Sequence, residues 1–430
     1  GASAEADVVV FAPADLPGLI SGGRIGLLPP AFSEHGGAMD LGFFLRPYRV
    51  RLMDWQAKKY AVPIMGDSLL FAWRADLLDN PKHQKEIENR LKHPLLPSGP
   101  TTWQEVEVLA KYFHEIGQWT PGDGGKAGRP SLPPLPDSPE ALDRVFHSVA
   151  APFALRGVSE ELLNGLSADE RHTLLYDYQF DIDTGEARIA GPGFVEALAL
   201  LKRMQPYRAT GRSPHPARAL AAGTAVAGLV TLADVPALRK FEEGAKDVRF
   251  GISAVPGSTT CFTLNKPVKV PSGNFVPYLG SGGWMAAVAP GARAADAATE
   301  FLAHLASPAV SLEIVYEPTW GAGPTRTTHL ELNNRSGWYN YGLSVERTNS
   351  LVAALEKSVN PPPVNPAFRL RISDQQKYLQ AEVEALGAAL DGQTEPAAAL
   401  ADLAKRWNDL GGAAGKEKRM REYRQSLGLN

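Results

Sequence analysis

The chain has 430 residues, 44% hydrophobic and 21% charged, the balance of a globular protein long enough for two or more domains. Its formal net charge of −3 gives no electrostatic case for nucleic acid or an anionic membrane surface. No apolar run is long enough to span a bilayer, and the single cysteine, Cys261, excludes an internal disulfide and reads as a small buried residue.

In chain order, residues 6–11 (ADVVVF) form a short β-branched run, the pattern of a strand buried on both faces. Residues 16–21 predict a short helix ended by Gly22-Gly23. A strand over 60–64 leads into Gly66-Asp67, and 68–74 resumes the extended pattern, so strand, turn and strand run through 65–68 with no helix between them. Thr102 followed by Glu105 is a capping box opening a helix, with Val106, Leu109, Ala110 and Phe113 at helical spacing. Residues 120–139, rich in Gly and Pro, read as a surface loop of polyproline character rather than a PxxP ligand. Residues 178–189 around Asp183-Thr184-Gly185 predict a hairpin, and 194–204 an amphipathic helix. Strands follow over 224–232, 248–255 and 284–289, then a helix over 294–305 stopped by Ser307-Pro308. The last third is mainly helical, over 349–358, 373–390 and 395–410. There is no internal repeat, and the mixture argues an α/β fold.

Motif-like strings do not complete. Asp181-Ile182-Asp183-Thr184-Gly185 lacks the later ligands and the glycine of a calcium loop. Residues 122–126 lack the first glycine of a phosphate loop, and Ala127 stands where the magnesium-binding hydroxyl belongs. Gln118 stands where His114-Glu115 would need a second zinc histidine. Ser281 has no nucleophile elbow, and the nine histidines do not cluster at ligand spacing. Asp181 and Asp183 share a strand face and could form a glycosidase pair, although a solvated turn explains them as well.

Taken in order, several strings resemble the family 1 extracellular solute-binding proteins of ABC importers, the maltose-binding-protein-like group with the type II periplasmic-binding-protein fold. They are residues 6–29, with a DVV strand and a turn; 61–78, with Ala61-Val62-Pro63-Ile64 and Trp73-Arg74-Ala75-Asp76-Leu77-Leu78; and Thr101-Thr102-Trp103-Gln104-Glu105. Residues 180–198, 280–288, 298–308 and 321–326 complete the series across nearly the whole chain. Such proteins carry a strand, helix, strand and helix before the segment matched by 6–11, where this chain begins, so either the chain is truncated or its N-lobe is built without that first unit.

The resemblance implies two α/β lobes joined by crossings near 65–68, 253–257 and 321–326, with a helical C-terminal part. The N-lobe would be 1–66 plus 256–322, and the C-lobe 67–255 plus 323–430. A sugar or related polar solute would be clamped between the lobes and passed to a membrane permease. Asp67 occupies the position of a sugar-binding acid, and Trp284, after Gly282-Gly283, offers an aromatic face that small neighbours leave approachable; a turn aspartate and a core tryptophan are the competing readings. Asp15 follows the first strand, where a helix N-cap competes with ligand contact. Thr231 and Asp234 would face the cleft from the C-lobe. Arg326, Arg371 and Tyr378, with Trp320, Trp338, Tyr339, Tyr341 and Arg369, lie near or beyond the third crossing, where an arginine could meet an anionic ligand. Trp103 is assigned to packing.

The expected protein is a monomeric, extracytoplasmic binder without catalysis, metal or cofactor, periplasmic or lipoprotein-anchored; no signal sequence is read in the chain. The alternatives are a carbohydrate hydrolase using Asp67 or the Asp181/Asp183 pair, and a two-lobe module that has lost its ligand.

Overall fold

The computed structural model describes residues 6–29, 32, 40–117, 119, 127–245, 247–263, 266–361 and 363–429. The glycine-rich 122–126, Gln118 and the start of the Gly/Pro-rich loop lie outside them. The elements that place the site begin with β1 (Val8–Phe11), α1 (Leu16–Ser21), β2 (Val62–Met65), β3 (Leu70–Arg74), α2 (Trp103–Ile116), α3 (Pro139–Ala154) and α4 (Pro192–Met204). They continue with β4 (Ala227–Val230), α5 (Val235–Gly244), β5 (Phe250–Ser253), β6 (Ser258–Thr263), β7 (Lys266–Asn274), β8 (Tyr278–Leu279) and β9 (Trp284–Val288). Then come α6 (Ala295–Leu305), α7 (Val345–Val359), β10 (Ala367–Phe368), α8 (Gln375–Leu390), α9 (Pro396–Asp409) and α10 (Gly412–Ser426).

Two three-stranded antiparallel sheets organise the molecule. In the first, β9 lies between β1 and β2, with Val8 opposite Val288 and Trp284 opposite Met65. β1 is therefore an edge strand among the described residues, and Val10 is 53% exposed. This corrects the expectation of a strand buried on both faces: the β-branched run covers one face and leaves part of the other to solvent.

In the second sheet, β3 lies between β4 and β5. All five residues of β3 are buried, and the two-residue strand period sends them to two different cores. Leu70 and Ala72 join the first sheet and α7 in one core, while Phe71 and Trp73 join α2, α3, α4 and the C-terminal helices in the other. The cores thus meet at β3 and do not divide at the lobe boundaries drawn from the sequence.

The helices follow their caps. The Thr102 hydroxyl accepts the Glu105 N–H at 3.3 Å, and the Glu105 carboxylate accepts the Thr102 N–H at 2.9 Å. α3, which the sequence reading passed over, starts from Ser138, whose hydroxyl accepts the Ala141 N–H, with Pro139 at its first position. Its end is closed by the buried Asn274, whose amide donates to the Pro152 and Leu155 carbonyls at 2.6 Å each and whose oxygen accepts the Gly157 N–H. The expected hairpin at 178–189 is reduced to one bridge, Phe180 with Ala187, around Gly185 at φ +69°.

The chain passes between the sheets where expected at Gly66, which pairs with Gly323 through bonds of 2.9 and 3.2 Å. The expected crossing at 253–257 lies later. Gly257 pairs beside Thr102, and β6–β7 packs on α3 and α2, so the chain returns to the first sheet only after Leu279.

Candidate functional site

The first crossing is fastened by Asp67, which is 4% exposed. Its carboxylate accepts the Gly280 N–H at 2.7 Å, and its own N–H donates to the Tyr48 hydroxyl at 2.7 Å. Burial lifts the carboxyl to about 6, against the opposing pull of the Gly280 N–H and the Arg144 guanidinium. Burial, and then Asp67, raises Tyr48 well above the usual phenol value. Arg144, on α3, reaches the carbonyl of Ser281 with Nε at 3.0 Å and with Nη2 as well. A Cβ at Gly282 would lie 2.9 Å from Asp67 Oδ1, and one at Gly323 would collide with the Asp67 carbonyl. Asp67 therefore holds the 280–283 loop, its acceptor oxygens turned to backbone.

Beside this junction a cavity of about 300 Å³ enters the second sheet's outer face. Its inner wall is Phe71, Trp103, Val106, Val149, Leu201 and Met204. Thr231, Ala233 and Asp234, just after β4, Leu69, just before β3, and Arg144 of α3 also line it. The segment 132–136 forms a side of the cavity, with Leu132 and Leu135 buried, so this half of the Gly/Pro-rich stretch is a wall and not the expected surface loop. Short parallel pairing of Leu135–Pro136 with Arg212–Ser213 places Arg208 and His215 on the same wall.

The site residues expected from sequence divide into two groups. Thr231 and Asp234 line the cavity, but they also cap each other: the Asp234 carboxylate accepts the Thr231 N–H at 2.7 Å and its hydroxyl at 2.9 Å, opening α5. Trp284, 49% exposed, begins β9 opposite Met65. Gly283, at φ +78°, lets the Met65 and Gly66 backbone approach, since a Cβ there would meet both. Trp320, 54% exposed, precedes Gly321, which packs on Ala233 of the cavity wall.

The second group lies elsewhere. Asp15 makes no cap bond; its carboxylate accepts from Gln375 at 3.1 Å. Arg326 is fully buried over the Phe44 ring and donates to the Ala306 carbonyl. Arg371 is buried on the carbonyls of Arg51, Leu52 and Asp54. Tyr378 is core, its carbonyl taking the Trp407 indole N–H. Trp338 and Tyr341 are buried and stacked on each other. Asp181 accepts the Thr184 N–H and hydroxyl and the Asp183 N–H, a turn bond pattern.

Arg144 and Arg208, which the sequence reading did not single out, line the cavity, and so does Trp103, which was assigned to packing. The Ser138-Pro139-Glu140 start would have announced α3 and its second-turn arginine. Deeper in the second core, ligand-type atoms of Asp143, His147 and Glu382 lie within 4.8 Å of one another. Arg369 stands 3.8 Å from Asp143, and the Tyr178 hydroxyl pairs with His147 Nδ1 at 2.8 Å. Burial raises Asp143, and Glu382 with Asp143 raises His147 against its burial, so cations and anions balance inside the core.

No protein-family model and no curated protein matches the chain. Among solved structures, maltose-bound MalE3 of T. maritima is similar with a TM-score of 0.63 at 15% identity, covering 95% of this chain and 85% of that one. UgpB from Mycobacterium tuberculosis, in complex with glycerophosphocholine, gives 0.60 at 14%, covering 93% and 82%. An ABC transporter solute-binding protein from Agrobacterium radiobacter in complex with ribitol gives 0.62 at 15%, covering 94% and 84%. The likeness is one of fold: the chain has the two-lobe periplasmic-binding-protein architecture.

Proposed function

We propose that this protein is the substrate-binding component of an ABC importer, which takes up one small solute at the inter-lobe crossing and delivers it to a membrane permease without turnover. The observation that carries this reading is the two-lobe fold itself, with a cavity of about 300 Å³, lined by residues between 69 and 234, beside the junction where Arg144 reaches Ser281. The architecture shared with the maltose, glycerophosphocholine and ribitol binders supports a solute role and an extracytoplasmic location. Among the described residues no helix is long and apolar enough to cross a membrane, which accords with a receptor that hands over its cargo. The lobes would divide near Gly66–Ser68, Gly280–Gly283 and Gly321–Gly323.

A ligand that binds only the folded, closed state stabilises it by mass action. A thermal-shift screen over sugars, polyols, phosphodiesters and organic acids should yield at least one solute that raises the melting temperature by several degrees. The same solute should change the emission of Trp103, Trp284 or Trp320 and be recovered unaltered. Recovery of a chemically changed solute would make the protein an enzyme.

A further inference from the structure

This inference rests on the solute-binding reading and names the class of solute. The sugar-like ligand expected from sequence needs acceptor groups for its hydroxyls. The carboxylates near the cavity are partly engaged: one oxygen of Asp67 accepts the Gly280 N–H, and one of Asp234 accepts the Thr231 N–H and hydroxyl. What the cavity offers instead is donors. Trp103, 3% exposed, lines it, and its indole Nε1 is buried without a hydrogen-bond partner. Arg208 lines it too, with Nε buried and unpartnered and Nη1 on the Pro133 carbonyl at 3.2 Å. Among the described residues no carboxylate forms an ion pair with Arg208, and its charged neighbour is another cation, Arg212. Burial, with that like charge, pulls the guanidinium down to about 10. Hydrocarbon lines the same cavity: Phe71, which packs edge-on to Trp103, and Val106, Val149, Leu201 and Met204.

We infer that the solute is a small amphipathic carboxylate, its aromatic or branched apolar body against Phe71, Val106, Val149, Leu201 and Met204 and its carboxylate received by Arg208 and the Trp103 indole N–H. A neutral sugar would leave both donors half-used and set its hydroxyls against hydrocarbon. A carboxylate supplies the missing counter-charge in a desolvated setting, where a charge-assisted bond is strongest.

The test is calorimetric titration at pH 7 of the full chain with phenylacetate, its neutral isostere phenylacetamide, maltose, ribitol and acetate. The expected result is that phenylacetate binds about tenfold or more tightly than phenylacetamide, with acetate, maltose and ribitol weak, because the charged head and the apolar body are both read. Arg208→Gln should erase the preference for phenylacetate while leaving phenylacetamide binding in place, which also shows that the variant is folded. Trp103→Phe should weaken phenylacetate while keeping the apolar contact. Binding of maltose or ribitol with no binding of phenylacetate overturns the carboxylate assignment and leaves the solute-binding reading intact. Equal affinity for acid and amide overturns anion recognition. An absence of binding by all five probes, with none of the wider screen shifting the melting temperature, overturns both.

Discussion

His329 shows how much a single side chain here depends on its surroundings. It is fully buried, its Nδ1 accepts the Thr325 N–H at 3.2 Å, and its Nε2 pairs with the Ser311 hydroxyl at 3.0 Å. Only a neutral ring can accept at Nδ1, and burial, followed by the nearby Arg326, pulls it to about 3. Between that value and the unfolded one near 6.5 the unfolded chain holds a proton that the fold does not, so this contribution is complete above about 6.5 and is lost as pH falls toward 3. In urea titrations, His329→Gln should lose about 2 kcal/mol less than the parent between pH 7 and 5; equal losses would show that the ring does not titrate as the geometry requires. Asp67 has the opposite sign. Its carboxyl sits at about 6, so its contribution is present below about 4 and is lost as pH rises through 6. Asp67→Asn, which keeps an acceptor for Gly280, should therefore gain on the parent by on the order of 2 kcal/mol between pH 4 and 7. Neither environment was legible in the sequence. Asp67 was visible as a polar group at a crossing, but whether its oxygens meet solute or backbone is decided by a loop more than two hundred residues away.

At the scale of elements, the sequence showed most strands and helices, because their signals are local: the capping box of α2, the β-branched run of β1, the helical spacing of α4. What it did not show was β6–β7, a ribbon with an exposed face and little alternation, and α3, whose start follows directly on a proline-rich stretch. Yet α3 carries Asp143 and His147 inward and Arg144 outward, and its end depends on one side chain from β7. Asn274→Ala would leave two buried carbonyls and one amide N–H without their partner. Denaturation should show a loss of about 2–4 kcal/mol; a loss below about 0.5 kcal/mol would mean that water replaces the amide. The close approach of α3 and α4 is a second check. A Cβ at Gly193 would lie 2.6 Å from Ala154 Cα and from the Phe153 carbonyl, so Gly193→Ala should destabilise by about 1–3 kcal/mol as the helices are forced apart.

For the whole molecule, the ordered strings that pointed to a two-lobe binder led to an architecture that the solved structures share. Position along the chain was the durable part of that reading, since the order of elements is set by hydrophobic period and turn chemistry. Which residues face the cleft follows from packing between distant segments, and there Arg326, Arg371 and Tyr378 went to the interior. Arg144 is a long side chain spanning the crossing. Arg144→Ala should loosen the ligand-free protein, seen as a larger radius of gyration in small-angle scattering; an unchanged radius would mean that Ser281 is held without it.

Arg371 has a mechanical corollary. It leaves the segment between β10 and α8, whose helix packs on α3 and α4, and ends on three main-chain oxygens at residues 51, 52 and 54 beneath the other sheet. Gln375 adds a rivet to Asp15. Any rocking of the halves must use this seam as its pivot or strip a desolvated cation of its acceptors among the described residues. The tail helices then ride on one half while pinned to the other, and the freedom that remains is a tilt about residues 371–375 in place of a clean parting.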